Sequence, residues 1–165
     1  MIVPERYEGK YRKFVPWNEG PTFARDILLK GKYSLDPTNA DIVSRTADMI
    51  WRYDCWAAYC LKVAAARSFE SLIYCDKTPE NPNWTMIIQA AYAYSKAAKN
   101  ANLLPKHHQS AIRCRMLSHR LFSDALLSCR GEKSKTGIRR NIEIETKDIL
   151  KFFERFDYEQ LGFYT

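Results

Sequence analysis

Apolar residues recur at helical spacing through most of this chain, and that periodicity limits the fold more than any other feature. The patterns cover residues 41 to 72, 85 to 104, 106 to 129 and 146 to 156. Apolar positions that repeat every three or four residues predict amphipathic helices. A bend near Asp54 in the first pattern would give either one long helix or two collinear ones. We therefore expect an all-α protein, a helical bundle of four to five helices.

The third and fourth patterns predict apolar faces of different width, and no helical pattern is evident in the segment between them. The third has a broad apolar face and is expected to be central; this face comprises Ile112, Met116, Leu117, Leu121, Phe122, Ala125 and Leu126. Residues 131–141 read as a basic loop, and the alternation in 142–145 predicts a short strand with no evident partner. The inward positions of the final helix would be Ile149, Leu150, Phe153 and Phe156.

The first 37 residues have a different character from the body at 38–165, whose last part is a C-terminal extension. Pro4, Gly9 and Pro16 oppose a continuous helix, so an extended N-terminal arm is predicted. A short helix should follow from Gly20 to about Lys30. The arm is too rich in Tyr, Phe and Trp for a free disordered tail. It is therefore expected to lie on a partner or on neighbouring protein.

The charge balance favours an anionic partner. The chain has 26 Lys and Arg against 19 Asp and Glu, a net charge of +7 and a pI near 9.2. Interleaved cations and aromatic rings suit a nucleic-acid backbone, and without an evident base reader the binding should be independent of sequence. The candidate DNA-binding residues are Lys10, Arg12, Lys13, Arg25, Lys30, Lys32, Arg45, Arg52, Lys62 and Arg67.

Catalytic motifs are sparse, and we expect no enzyme, no metal and no cofactor. One pattern offers an alternative, because Arg113 and His119 fit the Arg, four to six residues, His motif of helical ribonucleases of the HEPN type. In that case His119 would act as acid or base without a metal, and Arg113 would stabilise phosphate charge. The two residues lie six apart, which is not one face of a regular helix.

The five cysteines contain no Cys-x-x-Cys pair, so they do not predict a zinc site. One interpretation is buried free thiols, since Cys behaves as a small hydrophobe. The other is a disulfide. If the helices that hold Cys55 and Cys129 run antiparallel as neighbours, these two thiols would face each other.

Two motifs resemble the major coat proteins of the rod-shaped and filamentous viruses of hyperthermophilic archaea, the rudivirus and lipothrixvirus group. The arm matches in order at Arg6-Tyr7, Gly9-Lys10, Lys13-Phe14, Trp17-Asn18, Pro21-Thr22, Ala24 and Ile27-Leu28. The body matches at Tyr59-Cys60-Leu61-Lys62-Val63-Ala64. The resemblance extends to about residue 104, whereas the part beyond about residue 130 and the cysteines depart from it.

This resemblance implies a structural capsid protein of a helical virion that wraps linear double-stranded DNA in A-form. Its partners would be other coat subunits, as a homodimer or as a heterodimer with a paralogous coat protein. Before assembly it would lie in the host cytoplasm. At positions that match the motifs, Lys10, Lys13 and Lys62 would contact phosphate.

Overall fold

The computed structural model describes residues 37–52, 54–74 and 82–155, and these residues form five α-helices. They are α1 (Pro37–Ile50), α2 (Cys55–Ser71), α3 (Trp84–Asn102), α4 (His108–Ser128) and α5 (Glu132–Arg155). The described residues contain no strand, so the predicted all-α bundle is confirmed. The predicted arm, its short helix and the C-terminal segment 156–165 lie outside the described residues.

Short polar residues begin two of the helices. Asp54 precedes α2 and accepts a hydrogen bond from the backbone N–H of Ala57 at 3.0 Å. Asn83 precedes α3 and accepts one from the backbone N–H of Met86 at 3.4 Å. Each side chain satisfies an N–H group that has no partner within the helix. Pro37 is the first residue of α1, a position where its missing donor costs nothing.

The first two helices fold back on each other, and the expectation of one long or two collinear helices was wrong. Lys62 Nζ in α2 lies 2.7 Å from Ser44 Oγ in α1. Eighteen residues of continuous helix would separate these positions by about 27 Å. The break falls where the bend was predicted, because Asp54 caps a new helix there. The buried alanines of α2 present little bulk and let α1 pack closely against it.

The remaining helices continue this up-and-down course. Ser118 Oγ in α4 donates to the carbonyl of Ala91 in α3 at 2.8 Å, which fixes the antiparallel register of these two helices. Helix α4 packs between α3 and α5, and most of its predicted apolar face is buried or half-buried. Met116 is an exception, since it is half exposed. The largest fully buried side chains are Phe122, Ile50, Leu61, Ile87 and Ile112.

The described cysteines are free thiols, and the Cys55–Cys129 disulfide is not formed. Cys55 Sγ instead donates to the carbonyl of Asn100 at 2.9 Å. Two reversals of direction separate α2 from α4, so these helices run parallel. Cys55, near the start of α2, and Cys129, just after α4, therefore lie at opposite ends of the bundle.

The prediction of a loop, a strand and a shorter helix after residue 130 was also wrong. Residues 132–155 form one helix of 24 residues. Ile138 and Phe152 are buried on its inner side, with Ile142 and Ile149 partly buried, at spacings of three to seven residues. Ile144, by contrast, is 46% exposed, so the alternation at 142–145 does not mark two faces of a strand. Leu150 is 59% exposed and does not face inward as predicted.

A buried ionic network holds α5 against the bundle. Arg115 of α4 and Glu145 of α5 are only 6% and 2% exposed. Arg115 Nη1 donates to both carboxylate oxygens of Glu145, at 3.2 and 3.1 Å, and lies 3.4 Å from Asp148 Oδ2. Ser95 of α3 donates to Glu145 Oε1 at 2.6 Å and accepts from Arg115 at 3.2 Å. One network therefore connects α3, α4 and α5.

We expect Glu145→Ala to lower the free energy of unfolding by about 3 kcal/mol, because Arg115 keeps its buried charge without its main partner. Urea denaturation followed by circular dichroism measures this. The control is Glu143→Ala, an exposed carboxylate of the same helix, which should change stability by at most about 0.5 kcal/mol. Equal effects of the two substitutions would contradict the role of the network.

A substitution at Gly137 tests whether α5 is one continuous helix. A methyl group added there would meet no atom within 4 Å. Gly137→Ala should therefore raise the free energy of unfolding by about 0.5–1 kcal/mol, since glycine in a helix interior is less favourable than alanine. Gly131→Ala, just before the helix, is the control. A neutral or destabilising Gly137→Ala would favour a loop at this position.

Candidate nucleic-acid interface

The body of the protein, rather than the arm, carries the excess of positive charge. The described residues contain 18 Lys and Arg against 10 Asp and Glu. That excess of eight exceeds the net charge of +7 of the entire chain. Helix α3 has Lys96 and Lys99 and no acidic residue. The part of the chain from α3 to α5 is therefore the basic part of the described surface.

Most of these cations are exposed. Fifteen Lys and Arg residues among those described are exposed, against five acidic ones. The exposed cations are Arg45, Arg52, Arg67, Lys96, Lys99, Lys106, Arg113, Arg120, Arg130, Lys133, Arg139, Arg140, Lys147, Lys151 and Arg155. The exposed carboxylates are Asp48, Asp124, Glu132, Glu143 and Glu154. Such a surface attracts polyanions.

Five of the exposed cations form one line along α5, which we call the α5 stripe: Lys133, Arg140, Lys147, Lys151 and Arg155. Their spacings of seven, seven, four and four residues keep them within an arc of about 80° of the helix. The line is about 33 Å long, at about 1.5 Å per residue. No carboxylate of the described residues lies within 4 Å of the charged groups of Lys133, Arg140, Lys147 or Lys151.

The packing of α5 decides which of its faces is presented. Ile138 and Phe152 lie in the core, and Glu145 is bound by Arg115, so the helix cannot rotate about its axis without exposing apolar surface and breaking the network. Glu132 accepts from Lys135 at 3.5 Å and lies 4.0 Å from Arg139, both off the α5 stripe. The local carboxylate thus lies against cations beside the line and leaves Lys133, Arg140, Lys147 and Lys151 available.

The candidates in the arm (Lys10, Arg12, Lys13, Arg25, Lys30 and Lys32) lie outside the described residues. Those in the body are exposed with the exception of Lys62. Arg45 is exposed but pairs with Asp41 at 2.9 Å on α1. Arg52 follows the end of α1 and lies over the ring of Trp51, 5.2 Å from its centroid. Arg67 is exposed on α2.

Lys62 is not presented at the surface, contrary to its prediction as a phosphate contact. It is 3% exposed, and its Nζ lies 3.0 Å from Asp48 Oδ1 in addition to its hydrogen bond with Ser44. Burial lowers the pKa of Lys62, and the nearby carboxylate of Asp48 opposes this shift only in part. The prediction that Lys62 lies at the surface depends on α1 and α2 being collinear, which they are not.

The α5 stripe was missed because residues 131–145 were assigned to a loop and a strand. The spacing of these cations could have revealed it, because residues seven or four apart lie on one face of a helix. The ribonuclease alternative gains no support from this geometry. Arg113 is exposed and His119 is half-buried on the regular helix α4, where residues six apart point in directions about 120° apart.

The described residues include no group of three or more His, Cys, Asp or Glu side chains that could hold a metal ion. Within the described ranges, each helix is too short or too polar to span a bilayer. Burial raises the pKa of the Cys60 and Cys114 thiols to about 11, which disfavours the reactive thiolate.

Comparisons with known proteins add no assignment. No family model, no curated protein and no solved structure matches this chain.

The lowered pKa of Lys62 has a measurable consequence. Between that pKa and the ordinary value of 10.5, the unfolded chain binds a proton that the folded protein has released. The free energy of unfolding should therefore gain a contribution that rises with pH in this window. Lys62→Met should remove that contribution in urea denaturation across a series of pH values that approaches 10.5 from below. Lys147→Met, an exposed control, should keep it, and equal pH profiles for Lys62→Met and the unchanged protein would contradict the shift.

Proposed function

We propose that this protein binds the backbone of double-stranded DNA without regard to sequence, through the basic outer face of α5. The observation that carries the proposal is the α5 stripe, a line of cations about 33 Å long on a helix held in one orientation. Double-stranded DNA carries one negative charge per roughly 1.7 Å of its axis, so a straight row of this length can follow a phosphate track.

Independence from sequence follows from the kind of contact. Lys and Arg on an exposed helical face reach phosphate oxygens, and these carry no sequence information. The spacing of about 10 Å between Lys133, Arg140 and Lys147 is regular, and regular spacing suits a repeating backbone. Ile144 lies on the same face and can contact sugar or a neighbouring subunit.

We further propose that the protein acts as a structural coat subunit that assembles on linear double-stranded DNA into a helical filament. This part rests on the resemblance of the arm motifs and of Tyr59-Cys60-Leu61-Lys62-Val63-Ala64 to archaeal virus coat proteins. The arm would supply further contacts to the DNA and to adjacent subunits. A homodimer or a heterodimer with a paralogous coat protein would be the building block, and the DNA would be held in A-form.

Neutralising the α5 stripe tests the DNA contact. We expect the triple variant Lys133→Gln, Arg140→Gln and Lys147→Gln to lower affinity for DNA and to reduce the slope of log K against log salt by about three, since each phosphate contact contributes about 0.9. Fluorescence anisotropy with duplexes of unrelated sequence measures both quantities. Circular dichroism checks that the bundle is intact.

Two controls make the result specific. Lys62→Met removes a cation that is buried, so it should leave the affinity for DNA unchanged. Glu143→Gln removes a carboxylate beside the α5 stripe and should raise the affinity slightly. If the triple variant binds like the unchanged protein, the α5 stripe is not the contact surface. Electron microscopy of the protein with linear DNA then tests the coat proposal separately, since binding without filaments would contradict assembly by this chain alone.

A further inference from the structure

A groove between the end of α1 and α3 has both apolar and cationic walls. It encloses about 420 Å³. Trp51 and Leu103 supply apolar surface and are 38% and 59% exposed. Lys96 and Lys99 line the same groove from α3, and Asp48 lines it from α1, where its carboxylate already pairs with Lys62 Nζ at 3.0 Å. Exposed apolar surface of this kind is costly in water unless something covers it.

The chain leaves α5 close to this groove. Helix α5 ends at Arg155, which lines a second cavity of about 260 Å³ between α3, α4 and α5. Asn102, at the end of α3, lines that cavity and also the groove. The end of α5 at Arg155 therefore lies about one cavity's width from the groove. Ten residues of extended chain reach as far as about 33 Å, so the segment after Arg155 can enter it.

The chemistry of residues 156–165 is complementary to the groove. The segment has no Lys or Arg, and it carries two carboxylates, Asp157 and Glu159. Its large apolar residues are Phe156, Tyr158, Leu161, Phe163 and Tyr164. Rings and a leucine match the apolar surface, and the two acids match the two lysines. The second cavity is also lined by two cations, Lys151 and Arg155, but its apolar residues, Ala111 and Phe152, are buried and offer little surface to the rings.

We propose that residues 156–165 dock in the groove of their own chain, with aromatic side chains against Trp51 and Leu103 and carboxylates facing Lys96 and Lys99. The segment would then act as a strap that ties α5 to α1 across the end of the bundle. This docking does not depend on DNA binding, so either proposal can fail without the other.

Photo-crosslinking in the full chain tests the docking. A benzophenone amino acid replaces Phe163, and the protein is irradiated without DNA and digested for mass spectrometry. Crosslinks are expected at Trp51 or Leu103. The same amino acid in place of Tyr74, an exposed ring at the opposite end of the bundle, is the control and should give no crosslink to the groove.

Charge reversal tests the electrostatic half of the proposal. Lys96→Glu with Lys99→Glu should lower the crosslink yield from position 163 by about fivefold, because two surface ion pairs become repulsions. Arg130→Glu with Arg139→Glu, two exposed cations towards the opposite end of the bundle, is the matched control and should leave the yield unchanged. Both pairs are exposed, so the fold should survive, and circular dichroism verifies that.

The pattern of crosslinks decides the outcome. A mixture of isotopically light and heavy chains separates crosslinks within a chain from those between chains. Crosslinks to the groove within one chain support the proposal. Crosslinks only between chains would overturn it in favour of a neighbour's segment in the groove. Crosslinks to the second cavity, or none to Trp51 and Leu103, would overturn it outright.

Discussion

The buried pair of Arg115 and Glu145 is the interaction on which the basic half of this structure depends. The two charges are almost fully removed from water, and they are tolerated because each finds an opposite charge and further hydrogen bonds. Breaking the pair leaves an uncompensated charge in the core. That penalty makes the register and rotation of α5 specific, whereas apolar contacts from Ile138 and Phe152 alone would tolerate small shifts.

The orientation of α5 places its basic side chains together on one exposed face. Lysines and arginines are frequent throughout the chain, and a charged helical face is usually only solvated. Here the network directs Glu145 inward, and Glu132 neutralises Lys135 and Arg139 beside the α5 stripe. The other exposed cations of α5 lie in one line, which is the arrangement that attracts a polyanion. The proposed DNA contact therefore rests on the packing of one helix as much as on composition.

The sequence predicted the helical class and several boundaries well, because those depend on local periodicity and caps. The second and third apolar patterns correspond to α3 and α4 within a few residues, and the break at Asp54 lies where a capping residue stands. The prediction from sequence was wrong at residues 131–145, where Gly137 and a basic composition suggested a loop instead of a helix. An exposed helix tolerates one glycine at a cost of about 1 kcal/mol, and the buried contacts of α5 outweigh it.

The sequence by itself determined that this chain forms amphipathic helices and carries an excess of positive charge, since these properties need only local pattern and composition. Only the tertiary structure decided which cations face outward. Lys62 is a buried partner of Asp48 because α1 folds back on α2. The α5 stripe faces outward because Arg115 of α4 binds Glu145 of the neighbouring α5. Burial and pairing depend on residues far apart in the chain, and periodicity carries no information about those partners.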